Sequence, residues 1–148
     1  EIVLAAQAAA IQAVRPGNTW NAPHEAALRV LTQGMVDLRL LQGDLDGLIE
    51  AEAYKPWYMH RTGHWLGLDV HDTGDYKQAG QWRVLEPGMT LTVEPGLYFR
   101  PGKDVPAHLE NIGIRIEDDV LVTPEGRRVL TEAAPKSVEA IEEAMREH

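Results

Sequence analysis

The sequence contains no cysteine in 148 residues, which excludes disulfide bonds and thiolate metal sites. Disulfides are rare in cytoplasmic proteins because thiols are kept reduced there, so we expect a cytoplasmic protein. Long apolar runs are missing as well. The longest, from Ile2 to Val14, is rich in alanine and interrupted by glutamine. We therefore expect neither a signal peptide nor a membrane-spanning helix, and no membrane partner.

Positive charge is scarce too. The chain has 14 lysines and arginines against 23 acidic residues, which gives a formal net charge of −9. No basic cluster is larger than the pair Arg127 and Arg128, so a surface that binds the phosphates of nucleic acid is not expected. A hydrophobic content of 44% is ordinary for a globular protein, and the length suffices for one core. One domain or sub-domain is predicted.

Histidine, by contrast, is concentrated between residues 59 and 72, which hold three of the six histidines of the chain. Imidazole binds divalent metals and transfers protons near neutral pH, so metal binding or catalysis is the first hypothesis. His60 and His64 are four residues apart, as in the helical HExxH zinc motif, but Arg61 replaces the glutamate of that motif. Gly63 also disfavours a helix, which predicts a glycine-jointed loop with partners elsewhere in the chain.

A first carboxylate partner follows in the stretch from Met89 to Tyr98. Its residues alternate, which predicts a strand with Leu91 and Val93 on one face and Thr90, Thr92 and Glu94 on the other. Pro95 favours an extended backbone at Glu94, and the Pro-Gly pair then turns the chain. Glu94 is therefore expected at the end of a strand.

A second carboxylate lies in the stretch from Asn111 to Val120. Here the alternation places Ile112, Ile114 and Ile116 on one face and Gly113, Arg115 and Glu117 on the other. If the two strands are neighbours, Glu94 and Glu117 project to the same side. One histidine and two carboxylates suit a divalent ion such as Mn²⁺, Co²⁺ or Zn²⁺. Taken alone, His60 is also compatible with a structural role, and His71 with a loop exit; only His64, Glu94 and Glu117 form a joint pattern.

Three motifs in order resemble a known family: HRTGHWLGLDVHD from His60, LEPGMTLTVEPGLY from Leu85, and IGIRIEDD from Ile112. They are similar to the C-terminal half of the catalytic domain of aminopeptidase P, the Xaa-Pro aminopeptidases among the pita-bread metallopeptidases. The resemblance implies a site with two manganese ions that acts on peptides with proline at the second position.

The resemblance also implies roles for individual residues. By this likeness His64, Glu94 and Glu117 are metal ligands, and Glu94 is in addition the proton acceptor. His60 and His71 match histidines that line the site around the scissile bond. Tyr98 and Arg115 match residues that lie next to the metal ligands.

One departure from the family pattern limits this expectation. Aminopeptidase P completes its metal site with two aspartates on a hairpin upstream of the histidine motif, and the sequence before His60 has no such hairpin. Residues 1–148 are therefore expected to be the C-terminal portion of the catalytic domain, without its first half or the N-terminal domain. The isolated chain is expected to be inactive or weakly active. It is also expected to self-associate or to bind the missing half, because a half sheet exposes an edge and an apolar face.

The order of the predicted elements agrees with this family. A helical hairpin comes first, with Gly34 permitting close packing; antiparallel strands follow, and a last helix with Val138, Ile141 and Met145 facing inward ends the chain. This order predicts an α+β fold, half of a pita-bread fold, in which helices cover a curved antiparallel sheet. His24 and His148 are predicted to lie on the surface, and Asp118 and Asp119 to form an acidic cluster at a strand end.

Other possibilities remain open at this point, one of which is a purely structural fragment that binds no metal. The chain could be a catalytically silent peptidase-like module that binds proteins, since the aspartate ligands are absent. It could also belong to a prolidase-type dipeptidase, because prolidases share the same kind of motifs.

Overall fold

The N-terminal part of the chain is helical. The computed structural model describes residues 1–102 and 104–146, and its first elements are α1 (Ile2–Ala13), α2 (Ala22–Asp37) and α3 (Leu45–Glu50). The first two helices pack closely: a Cβ on Gly34 would lie 2.4 Å from the Ile2 side chain. Glycine at this position permits the close packing, and the predicted helical hairpin is confirmed.

Short antiparallel strands follow. The pairs are β1 (Leu66–Gly67) with β2 (Val70–His71), β3 (Lys77–Gln78) with β4 (Gln81–Trp82), β5 (Thr90–Val93) with β8 (Asp118–Thr123), β8 with β9 (Gly126–Val129), and β6 (Gly96–Phe99) with β7 (Ile112–Arg115). β8 and β9 form a hairpin near the C-terminus. Residues 74–83 are mostly exposed and contain β3 and β4.

One core joins the helices to the strands. Ala6 and Ala10 of α1 and Leu31 of α2 are fully buried in the same cluster as Val93 of β5 and Val120 of β8. A layer of helix on a β-sheet is the arrangement that the order of elements predicts. The molecule is accordingly a mixed α+β fold.

The last helix, α4 (Val138–Arg146), differs from the prediction. Val138, Ile141 and Met145 do share one face, but their exposed fractions are 44%, 45% and 73%. Helical periodicity fixes which residues share a face, but it does not say whether another element covers that face. In the described part of the chain none does. The predicted surface position of His148 lies outside the described residues.

None of the helices within residues 1–102 and 104–146 has the length and apolarity that a membrane span requires.

Candidate metal centre

Three extended segments lie side by side at the candidate site. β5 is in the middle, and β8 pairs with one of its edges. The segment from Thr62 to Trp65 runs antiparallel along the other edge, where the Thr92 amide donates to the His64 carbonyl at 3.0 Å and the Glu94 amide to the Thr62 carbonyl at 2.7 Å. The histidine loop is therefore held as an additional strand-like edge, although the sequence alone predicted only a loop.

Gly63 permits this close approach. A Cβ built on Gly63 would lie 2.0 Å from the Thr92 carbonyl oxygen, far inside any tolerable contact. The residue does not have a positive φ, so its role is steric and not conformational. The glycine joint expected from the sequence is present, for the reason that two backbones meet there.

β5 and β6 form one arm of a long hairpin, and β7 and β8 form the other. The register between the two arms brings the two glutamates together. Val93 lies opposite Asp118 in the ladder between β5 and β8, and Gly96 lies opposite Arg115 in the ladder between β6 and β7. The two ladders have the same register, so Glu94 falls opposite Glu117. Pro95, which has no amide N–H to donate, separates the ladders. The carboxylates therefore face each other across a local break in one long hairpin.

His64 completes the cluster. Ligand atoms of His64, Glu94 and Glu117 all lie within 4.8 Å of one another, and His64 Nε2 is 3.4 Å from Glu94 Oε1. His64 Nδ1 donates to the Trp65 carbonyl at 2.8 Å, which leaves the lone pair of Nε2 directed to the carboxylates. Metal-binding histidines are commonly oriented by a hydrogen bond of this kind. The donor set and its geometry fit a divalent cation.

The electrostatics of the cluster favour a cation as well. Burial raises the pKa of Glu117 above its ordinary value, and the neighbouring Glu94 carboxylate raises it further. Two carboxylates in close proximity repel each other unless a positive charge lies between them. Arg115 supplies part of that charge, with Nη1 3.7 Å from Glu94 Oε2, but its side chain is about half exposed.

The remaining predicted residues surround the cluster. His60 Nδ1 donates to the Arg61 carbonyl at 2.8 Å, so His60 Nε2 accepts from the Tyr98 hydroxyl at 2.8 Å. The His71 ring, on β2, lies 4.4 Å from the His64 ring and is exposed. Neither histidine belongs to the group whose ligand atoms converge. Burial raises the pKa of Tyr98 above its ordinary value, which keeps its hydroxyl protonated and able to donate.

Comparison with known proteins agrees with this geometry. The sequence profile of metallopeptidase family M24 matches residues 1–124. The chain belongs to metallopeptidase family M24. Among M24 relatives, the Xaa-Pro aminopeptidase of Haemophilus influenzae is 51% identical over 145 residues, which cover 98% of this chain and 34% of the relative.

Solved M24 structures have the same fold. Aminopeptidase PepP of Pseudomonas aeruginosa superimposes with a TM-score of 0.95 at 55% identity, over 98% of this chain and 33% of that one. Zinc-substituted Escherichia coli aminopeptidase P, in complex with product, gives a TM-score of 0.92 at 46% identity, over 98% and 33%. The predicted aminopeptidase P-like α+β fold is thus confirmed. The chain spans about a third of the length of the relatives it matches.

Thr92 is a residue of this M24 site that the sequence interpretation did not single out. It is buried, it accepts from the His64 amide at 3.0 Å, and it donates to Glu94 Oε1 at 3.2 Å. One hydroxyl therefore connects the two ligand-bearing segments. The signal was present in the alternation, which places Thr92 on the same strand face as Glu94.

Asp118 corrects one expectation. It was predicted to belong to an acidic cluster at a strand end, but only 1% of it is exposed. Its carboxylate accepts from Gln7 at 2.7 Å, from Thr131 at 2.6 Å and from Lys136 at 3.0 Å. Asp118 faces the core, where three donors compensate the buried charge.

His24 corrects another expectation from the sequence. It was predicted to be a surface residue, but it is partly buried, with Nδ1 2.8 Å from the Thr62 hydroxyl. Burial, followed by the charge of Arg61, lowers the pKa of His24 to about 4. A lone histidine in a helix carries no sequence signal that distinguishes a surface position from a partly buried one.

Proposed function

We propose that this chain is the C-terminal portion, residues 1–148, of the catalytic domain of an Xaa-Pro aminopeptidase. The reaction is hydrolysis of the bond between an N-terminal residue and proline in a peptide. The observation that carries the proposal is the convergence of His64, Glu94 and Glu117 within 4.8 Å in a chain 51% identical to a protein named Xaa-Pro aminopeptidase. Family M24 membership supports a metallopeptidase in general; specificity for proline is the finer part of the proposal.

The cofactor proposed is a pair of Mn²⁺ ions, with Co²⁺ or Zn²⁺ as alternatives. His64, Glu94 and Glu117 would hold them from this chain, and two aspartates from upstream residues would complete the site. A zinc-substituted relative of the same fold supports a divalent cation without selecting manganese. Such ions would lower the pKa of a water nucleophile and act as Lewis acids that polarise the substrate carbonyl group.

The residues of the chain then have separate tasks. Glu94 accepts the proton of the nucleophile, and the Thr92 hydroxyl at 3.2 Å and the Arg115 guanidinium at 3.7 Å orient its carboxylate. His60 and His71 line the site around the scissile bond, and His71 is the hydrogen-bond partner of the substrate, since both ring nitrogens of His60 are already hydrogen-bonded. Tyr98 holds the His60 ring at 2.8 Å. Proline has no amide N–H after the scissile bond, so recognition depends on shape and on these side chains.

Several large apolar side chains are exposed in the segments that carry the predicted site residues. Met59, Leu68, Val70 and Ile114 are exposed by 50%, 106%, 57% and 47%. Exposed apolar side chains on these segments favour a covering partner. The upstream half of the domain is the proposed cover, with self-association of the chain as the alternative. The isolated chain is accordingly proposed to be inactive or weakly active, and its cytoplasmic location stays a prediction.

A prolidase-type dipeptidase is the second candidate. The observation that supports it is the similarity to the human Xaa-Pro dipeptidase, which is 33% identical in an alignment of 174 residues that covers 98% of this chain. The difference between the two activities lies in substrate length: a dipeptidase accepts Xaa-Pro itself, whereas an aminopeptidase accepts longer peptides. A catalytically silent module is the third possibility and is tested by the same experiment.

The test uses the full gene product, loaded with Mn²⁺, and measures release of the first residue from an Xaa-Pro-Xaa tripeptide and from an Xaa-Pro dipeptide. Cleavage of the tripeptide, with a loss of at least about 100-fold in Glu94→Gln, is expected because general base catalysis contributes 10²–10⁴-fold. Preference for the dipeptide would indicate a prolidase. If neither peptide is cleaved, the protein is a silent module. Efficient cleavage by the 148 residues alone would contradict the proposed half-domain.

A further inference from the structure

His24 lies outside the cluster of predicted site residues but is connected to it by hydrogen bonds. It is on α2, and its Nδ1 is 2.8 Å from the Thr62 hydroxyl. The same hydroxyl is 2.6 Å from the Tyr58 hydroxyl, and only 2% of Thr62 is exposed. With Tyr58 as donor to Thr62, the Thr62 proton is free to bond the His24 lone pair. His24 Nδ1 and the two hydroxyl groups then each have a hydrogen-bond partner.

Thr62 is connected to the metal ligands through its backbone. Its carbonyl accepts from the Glu94 amide at 2.7 Å, and it precedes His64 by two residues. Moving Thr62 therefore moves the amide of one ligand and the chain that carries another. The path from α2 to Glu94 consists of one side-chain hydrogen bond and one backbone hydrogen bond.

We propose that His24 is a positioning residue, which holds Thr62 and thereby fixes the backbone of Glu94 in the metal site. The consequence for metal binding rests on the function proposed above, whereas the effect on the Glu94 amide does not. A neutral imidazole suits this role because it fills the space beside Tyr58, with ring centroids 5.9 Å apart, and bonds a hydroxyl without burying a charge.

Two substitutions separate the hydrogen bond from the bulk of the ring. In His24→Asn the amide group occupies the position of Nδ1, so it can bond Thr62 in either direction. In His24→Leu the side chain fills a comparable space but forms no hydrogen bond. If His24→Leu does not fold, His24→Gln replaces it, because its amide group lies one bond beyond the position of Nδ1.

The measurement is hydrogen exchange resolved to single amides in the full gene product. The reference is the Val122 amide, which donates to the Met89 carbonyl at 2.9 Å, at the end of the ladder between β5 and β8 that is farther from Glu94. Exchange at Glu94 is expected to be about tenfold faster in His24→Leu, the equivalent of one hydrogen bond, with Val122 unchanged. His24→Asn is expected to exchange like the unsubstituted protein.

Several outcomes would overturn the inference. Equal acceleration at Glu94 and Val122 would show a general loss of stability, and no acceleration at Glu94 would show that Thr62 is held without His24. Equal behaviour of the two variants would show that the ring acts by packing. Mn²⁺ affinity is measured on the same samples, with a roughly tenfold loss expected in His24→Leu alone. If the unsubstituted protein binds no Mn²⁺, the proposed function fails while the exchange result still decides the inference.

Discussion

A single methyl group at residue 63 tests the geometry of the metal centre. In Gly63→Ala the new Cβ would lie 2.0 Å from the Thr92 carbonyl oxygen and 3.0 Å from its carbonyl carbon. Carbon and oxygen atoms that are not bonded rarely approach closer than about 3.4 Å, so one of the two segments must move by more than about 1 Å. The obstacle is backbone, which cannot rotate away as a side chain can.

The cost follows from the hydrogen bonds that such a shift breaks. Three of them join the loop to β5: His64 amide to Thr92 Oγ1 at 3.0 Å, Thr92 amide to His64 carbonyl at 3.0 Å, and Glu94 amide to Thr62 carbonyl at 2.7 Å. At about 1 kcal/mol each, their loss lowers the free energy of unfolding by about 3 kcal/mol. The same shift carries His64 away from Glu94, so affinity for a divalent cation falls as well.

Urea unfolding and titration with Mn²⁺ measure the two effects. The matched control is Gly102→Ala, where the nearest non-neighbouring atom to the new Cβ is 4.0 Å away; a change below about 0.5 kcal/mol is expected there. If Gly63→Ala and Gly102→Ala were indistinguishable in both measurements, the loop would not lie against β5 as described.

Two more predictions follow from buried groups. Asp118→Ala leaves Lys136 without its partner and should lower the free energy of unfolding by about 3–5 kcal/mol, measured by urea denaturation; a loss below about 1 kcal/mol would mean that the carboxylate is not buried with its three donors. Because the pKa of His24 is lowered to about 4, from about 6.5 in the unfolded chain, its contribution of up to about 3 kcal/mol is complete above pH 6.5 and is lost as the pH falls toward 4. The difference in stability between the unsubstituted protein and His24→Asn should therefore shrink on acidification, and a difference independent of pH would contradict the lowered pKa.

The sequence determined the parts of the site that depend on local pattern. Alternation predicted that Glu94 ends one strand and that Glu117 lies on the same face as Arg115, because side chains in a strand point to alternate sides. The glycine before His64 indicated a special backbone position. The motifs around these residues indicated the family and, with it, the fold.

What sequence reasoning missed depends on contacts between distant residues. Asp118 became a core residue because Gln7, 111 positions away, provides a donor, and His24 became partly buried because Thr62 packs against α2. The face of α4 was predicted correctly, but its partner was not, since amphipathicity requires a partner without naming one. In each case the pattern fixes a direction, and only the packed chain shows what lies there.

The most direct test of the central claim is a crystal structure of the full gene product grown with Mn²⁺, with data collected on both sides of the manganese absorption edge. An anomalous peak coordinated by His64 Nε2 and by the carboxylates of Glu94 and Glu117 is the predicted result. A peak elsewhere in the molecule, or a fully occupied ion that these three side chains do not touch, would contradict it.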